Sequence, residues 1–309
     1  MNVRKLISSD HTSVDARPLA FLRIGTGVVI LLELFALWPN ISDIYGSHGY
    51  IEWIISQHLF SLSQLPTMAG ILHWLPPETV SADTVLYGTL SIYIASLVGM
   101  VIGYRANAMA LLAWAFHLII NNSANMYGYG VESFIHVSLF YLIFMPTTAH
   151  WALIRSSRQS TVNLWMTILR LHLCIVYLNA GLAKWLGQDW LGGEAIWRAV
   201  AQPTYGQFDM FWIAYVPWLS VVATWGVLIL ETAYPIFVWW PLTRKYWLGA
   251  IVAMHLGIGL LMGLHAFAGI MIVLNIAAFG WPYVVAIYAY GREKLGLVAW
   301  LNQEVVEKA

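Results

Sequence analysis

LRLHLCIVYLNAGLAKWLGQDW, Leu169–Trp190, is an apolar run of membrane length that carries Arg170 and His172 inside it and brings Lys184 to its end. A helix needs about 20 mainly apolar residues to cross a bilayer core. Ionisable groups within such a helix are costly and face a partner or a water-filled cavity. A polar, aromatic turn follows at once, with Trp185, Gly187, Gln188, Asp189 and Trp190. Lys184 therefore stands where burial acts on its protonation, which makes it a candidate base. Apolar walls would disfavour the ammonium, whereas Asp189 or Glu132 nearby would favour it, and the sequence leaves that balance open.

The rest of the chain agrees with a membrane reading. Of 309 residues, 60% are hydrophobic and only 10% charged, which excludes an ordinary soluble domain. Seventeen Trp and sixteen Tyr suit two aromatic interfacial belts. Fifteen basic residues balance fifteen acidic ones, so nothing points to nucleic acid. The single cysteine, Cys174, lies in an apolar run, forms no intrachain disulfide and reads as a packed thiol. Met1–Pro18 is polar and mixed in charge, and the first apolar run is too long for a signal-peptide core. That run is expected to be an uncleaved first span.

Apolar runs fall at about 18–38, 84–103, 107–122, 131–146, 162–183, 214–240, 246–263 and 266–289. They predict an all-α polytopic membrane protein of about eight transmembrane helices. A transmembrane domain over 18–289 would be flanked by cytoplasmic segments 1–17 and 290–309. Orientation follows from basic residues. Arg4, Lys5, Arg17, Arg105, Arg155, Arg158, Arg244, Lys245, Arg292, Lys294 and Lys308 all fall on one side, whereas the other holds only Lys184 and Arg198. Both termini are thus expected in the cytoplasm and the 39–83 loop outside. That loop has no Lys or Arg, and its aromatic clusters (Ile51–Ile55, Leu72–Leu75) predict short interfacial helices. A second external stretch, 184–213, with Trp190, Gly192, Gly193, Trp197, Pro203 and Tyr205, is placed to cap a cavity.

Several polar groups lie within the runs. Arg23 and Glu33 are ten residues apart on one helix, roughly 15 Å, so each needs a partner elsewhere. Arg170, His172 and Glu231 complete this set, which reads as a structural polar network. His117, His136, His255 and His265 are also within or beside spans, but no HxxxH or HxxH pair occurs. Glu132 and His136 share a helix face, yet an isolated pair does not make a metal centre, and no metal is assigned. Asn121, Asn122 and Asn125, followed by Tyr127-Gly128-Tyr129-Gly130, close the third run with turn-forming residues. This cap, Lys184, Glu132, His136 and His265 are all expected at one external depth, and their convergence would form a site. Trp185, Asp189, Trp190 and His255 join them as candidate substrate-binding residues.

These residues resemble those of bacterial HTTM-domain proteins, which look like a stand-alone version of the membrane domain of vitamin K-dependent γ-carboxylase. LAFLRIGTGVVILLE (Leu19–Glu33) is similar to the family's first helix, with Arg23 and Glu33 at its Arg and acidic positions. Tyr104-Arg105 is similar to a cytoplasmic turn, and Asn121-Asn122 with Tyr127-Gly128 to an external one. LRLHLCIVYLNAGLAK (Leu169–Lys184) resembles the helix that ends in the carboxylase's catalytic lysine, followed by Asp189-Trp190; His255 falls at a family histidine.

The resemblance implies a bacterial cytoplasmic (inner) membrane location and lyase or oxidoreductase chemistry linked to a reduced, vitamin K-like quinone, with Lys184 as its base. Ser123 stands where the family has a histidine. The carboxylase's lumenal C-terminal region and its second disulfide cysteine have no counterpart up to Ala309. Carboxylation of tagged proteins is therefore poorly supported, and quinone binding survives better.

Three readings follow. One is an enzyme acting on a lipophilic small molecule at the external face. Another is a non-catalytic membrane helper in the maturation, export or immunity of a secreted peptide. The third is a transporter, for which no internal repeat or paired broken helices are visible. Membrane lipid is a contact in all of them.

Overall fold

The computed structural model describes residues 15–59, 66–76, 80–124, 128–156, 160–203 and 206–291. Arg4, Lys5, Asn125, Tyr127, Arg158, Tyr205, Arg292, Lys294 and Lys308 lie outside these residues, as do most of the two expected terminal segments. Every regular element among the described residues is helical.

The first apolar run forms α1 (Arg17–Leu37), opened by Pro18 in its first turn, where a missing N–H costs nothing. A 3-10 turn at Trp38–Asn40 and three short helices follow: α2 (Ile41–Tyr45), α3 (Trp53–Leu59) and α4 (Met68–Trp74). Tyr50, Ile54 and Trp74 are exposed along this stretch, the disposition expected of interfacial helices. Then come α5 (Ala82–Ile102), α6 (Ala106–Ser123) and α7 (Val131–Phe144). Leu19, Leu22, Leu86, Leu90, Tyr93, Leu97, Met100 and Leu139 form the fully buried seam of this half.

The fifth run is α8 (Val162–Trp185). Beyond it, α9 (Gln188–Leu191) and α10 (Ala195–Ala201) are short, and a 3-10 turn at Phe211–Tyr215 leads into α11 (Pro217–Thr232). The single span expected at 214–240 is corrected here. The helix breaks at Ala233 and resumes as α12 (Tyr234–Phe237), because Pro235 lacks an N–H and its ring crowds the Glu231 carbonyl four residues back. Two long helices complete the bundle: α13 (Pro241–Met262) and α14 (His265–Asn275), joined by a tight turn at Gly263–Leu264. The helix started by α14 continues through a π turn at Ile276–Gly280 to Gly291.

Each of the eight apolar runs is helical. Among the described residues, five stretches are long and apolar enough to cross a membrane: Arg17–Tyr45, Ala82–Ile102, Val162–Trp185, Pro241–Met262 and His265–Gly291. Val131–Phe144 and Pro217–Thr232 are shorter apolar helices. The 18-residue α6 ends on Asn121-Asn122-Ser123.

Arg23 shows why a fully buried guanidinium is tolerated in α1. Its Nη1 donates to the carbonyls of Met100 (2.5 Å) and Val101 (2.6 Å), and its Nη2 to that of Trp151 (2.6 Å). The last carbonyls of a helix lack intrahelical partners, and a buried cation satisfies them here. The contact requires Gly103, whose φ is +76° and whose added Cβ would meet Ala152 Cβ at 2.5 Å and Arg23 Nη1 at 3.0 Å. Arg170 plays a similar part: its Nε donates to the Ala278 carbonyl at 2.7 Å, inside the π turn, with its guanidinium 5.6 Å from the Phe279 ring.

Candidate functional site

Along α8, Arg170, Cys174, Tyr177, Gly181 and Lys184 follow one another at helical spacing and share a face. Gly181 lets that face approach α11 closely: a Cβ there would lie 2.5 Å from Thr232 Oγ1 and 2.7 Å from the Thr232 backbone nitrogen. Three residues on, Lys184 Nζ donates to Glu231 Oε2 at 2.5 Å. The Lys184 side chain is 21% exposed and that of Glu231 only 9%. Glu231 is the last turn of α11 before the Pro235 break, so the interrupted helix delivers the carboxylate. Trp190 lays its ring 5.1 Å from Lys184 Nζ, and Trp185 Nε1 donates to Thr232 Oγ1 at 3.0 Å. Asp189 is drawn instead towards Arg198, at 3.5 Å. The anionic partner of Lys184 is thus Glu231, not Asp189 or Glu132.

A buried hydrogen-bond chain lies on the same face two turns away. Asn275 Nδ2 donates to the Met271 carbonyl and to Tyr177 Oη, both at 2.8 Å, and Tyr234 Oη donates to Asn275 Oδ1 at 2.8 Å. Tyr177 Oη lies 2.7 Å from His255 Nε2. The Met271 carbonyl fixes the Asn275 amide orientation, so the Tyr177 hydroxyl accepts from Asn275 and donates to His255. His255 then carries its proton on Nδ1, a buried atom with no partner among the described residues. The Tyr177 and Tyr234 rings stack 4.2 Å apart. Sequence reasoning missed Tyr177, Tyr234 and Asn275; the legible signal was Tyr177 two turns before Lys184 and Asn275 within an apolar run.

The other expected residues separate into a second locus. Arg170 meets Ala278 and Tyr177 meets Asn275, so α8 and α14 run antiparallel and Lys184 points to the His265 end of the bundle. At that end a cavity of about 620 Å³ is lined by Glu33, Glu132 and His265, with Tyr45 and Tyr129. Neither Lys184 nor Glu231 lines it. Tyr129 Oη donates to Glu33 Oε1 at 3.2 Å, and the Gly130 N–H donates to Glu132 Oε2 at 3.1 Å. Burial and the nearby Glu33 carboxyl raise the Tyr129 hydroxyl well above the ordinary tyrosine value, so it stays a donor. A narrower pocket behind holds Glu33 and Glu132 again, with Tyr93, His117 and Asn121.

His136 packs against Trp114 (4.8 Å between rings) and His117 (5.8 Å). Asn122 Nδ2 donates to the Pro66 carbonyl at 3.3 Å. Ser123 receives the Met68 N–H at 2.8 Å and so ties α4 to α6. His172 Nδ1 is 2.8 Å from Tyr141 Oη. The expected convergence is thus divided: Glu132 and His265 share a cavity, whereas Lys184 stands with Glu231. Among the described residues, no three His, Cys, Asp or Glu side chains gather as a metal site.

These features define a helical membrane protein with an ion pair and a hydrogen-bond chain buried between helices. Residues 11–280 match the HTTM domain, and the chain belongs to that family. It is similar to Sporulation-delaying protein SdpB of Bacillus subtilis (strain 168), 32% identical over 157 residues, which cover 46% of this chain and 47% of that protein. It is also similar to YitO of the same organism, 26% identical over 194 residues, covering 58% of this chain and 62% of the relative. The chain spans about half the length of the first of these curated relatives and less than two thirds of the second. No solved structure matches.

Proposed function

We propose that this HTTM-domain membrane protein acts on a lipophilic substrate bearing a weakly acidic hydroxyl, of the hydroquinone class, with Lys184 as the base. The observation that carries this reading is the 2.5 Å contact between Lys184 Nζ and Glu231 Oε2 where α8 meets the broken end of α11. An ammonium bonded to a carboxylate has no lone pair. When the shared proton passes to Glu231 and the acid's O–H turns away from Nζ, the pair is amine and carboxylic acid, neutral overall, and the Nζ lone pair is open to the substrate hydroxyl. Nζ then takes the hydroxyl proton as the substrate O–H bond breaks, and the new ammonium faces the new oxyanion. The donor set fits such a group: a cation for the oxyanion, an indole (Trp190) for an aromatic ring, and exposed apolar helix for a lipid tail. The charge asymmetry supports a reading in which this chemistry lies on the external face of a bacterial cytoplasmic membrane.

The test uses the full chain in lipid nanodiscs and an alkylated 1-naphthol, whose anion absorbs at longer wavelength. The wild type is expected to generate naphtholate near neutral pH and Lys184→Met to generate none. Equal naphtholate in both would overturn the base role.

The likeness to a protein named for delaying sporulation favours a second reading without catalysis. The chain would then be a membrane helper for the maturation, export or immunity of a secreted peptide, with the ion pair gripping peptide groups. That reading expects no naphtholate from any variant.

A further inference from the structure

The cavity between α1, the 128–132 turn and the start of α14 is separate from the ion pair, and its lining is uneven in charge. Of its fourteen lining residues, Glu33 and Glu132 are acidic and none is Lys or Arg; the other polar groups are Tyr45, Tyr129 and His265. Val29, Leu32, Ala36, Leu37, Ile44 and Leu264 supply an apolar wall. Each carboxylate receives one protein donor, Tyr129 on Glu33 Oε1 and the Gly130 N–H on Glu132 Oε2. The second oxygen of each has no protein donor among the described residues, and neither has the Tyr45 hydroxyl a protein partner there. Two carboxyl groups lining one cavity with no Lys or Arg beside them leave their negative charge uncompensated by the lining, and a cation between them would compensate it. A volume of about 620 Å³ has room for a head group and the start of a chain.

We propose that this cavity is a binding site for a lipophilic primary amine, its ammonium held by Glu33 and Glu132 and its stem laid along the apolar wall. Three N–H donors on one ammonium match the two free carboxylate oxygens and the Tyr45 hydroxyl. The site is independent of Lys184, so the two stand or fall separately.

The experiment is binding of dodecylamine to the full chain in phosphatidylcholine nanodiscs, with dodecanol as the uncharged control of equal length. Dodecylammonium is expected to bind saturably and at least about tenfold more tightly than dodecanol. Glu33→Gln and Glu132→Gln should each weaken the amine about tenfold and leave dodecanol unchanged, whereas Lys184→Met should change neither. Ala36→Trp, which narrows the cavity without touching a charge, should weaken both ligands, so a signal survives if a Gln variant misfolds. Competition by added phosphatidylethanolamine would name a lipid head group as the source of the amine, and its absence a free amine; both agree with the proposal. Equal affinity for amine and alcohol, or unchanged amine binding in both Gln variants, would overturn it.

Discussion

Gly181 of α8 and Thr232 of α11 stand so close that no side chain fits between them: a Cβ on Gly181 would lie 2.5 Å from Thr232 Oγ1. Lys184, one turn beyond Gly181, and Glu231, the residue before Thr232, meet because of that approach. Gly181→Val should force the helices apart, destabilising the protein by about 1–3 kcal/mol and separating the ion pair. Thermal unfolding of the purified protein, compared with Gly226→Val in open space on α11, is the check. An equal effect of the two substitutions would remove the role given to the close approach.

Breaking the ion pair should cost more than deleting it. Glu231→Gln or Lys184→Met alone leaves a mostly buried charge without its partner, at about 3–5 kcal/mol. The double variant, Lys184→Met with Glu231→Gln, should recover most of that loss. A double-mutant cycle on unfolding free energies reads the coupling, and additive losses would contradict the pairing.

The His255–Tyr177–Asn275–Tyr234 chain assigns a tautomer. Ring-nitrogen chemical shifts of His255 should show the proton on Nδ1 and a bare Nε2. Tyr177→Phe removes the donor to Nε2 and the acceptor for Asn275, and should cost about 1–3 kcal/mol. A proton on Nε2 in the wild type would overturn the direction assigned to the Tyr177–His255 bond.

At the opposite end, Trp281 Nε1 donates to Asp15 Oδ2 at 2.9 Å and Arg17 Nε to Asp15 Oδ1 at 2.8 Å, tying the start of α1 to the last helix. Burial pushes the Asp15 carboxyl up, but the bonds from Arg17 and Trp281 outweigh it and hold the group below its ordinary value of 3.8. A carboxyl depressed on folding contributes stability that is present above its unfolded value and lost as pH falls through the folded one. Stability should therefore decline below about pH 4, and Asp15→Asn should flatten that part of the profile in acid unfolding scans.

The helical class and the eight runs were legible because apolar length is a local property of the chain, and Leu169–Trp190 carries it plainly. Lys184 and Glu231 were legible singly as costly charges within such runs. Their pairing was not, since they lie 47 residues apart and Asp189 is nearer in sequence. The break at Ala233 went unread because apolar residues resume on the far side of Glu231–Pro235, although Pro235 was a visible helix-breaking signal. The division into two loci escaped for a related reason: charge bias gives depth in the membrane, not position around the bundle. Glu33 and His265, far apart in the chain, come to one cavity only through the packing of α1 beside α14.

Mass spectrometry of lipids that co-purify with the full chain from its native membrane tests the role of Lys184 most directly. The account predicts a quinone-class lipid enriched with the wild type and lost from Lys184→Ala, with Glu33→Gln retaining it. An identical lipid profile for wild type and Lys184→Ala would contradict it.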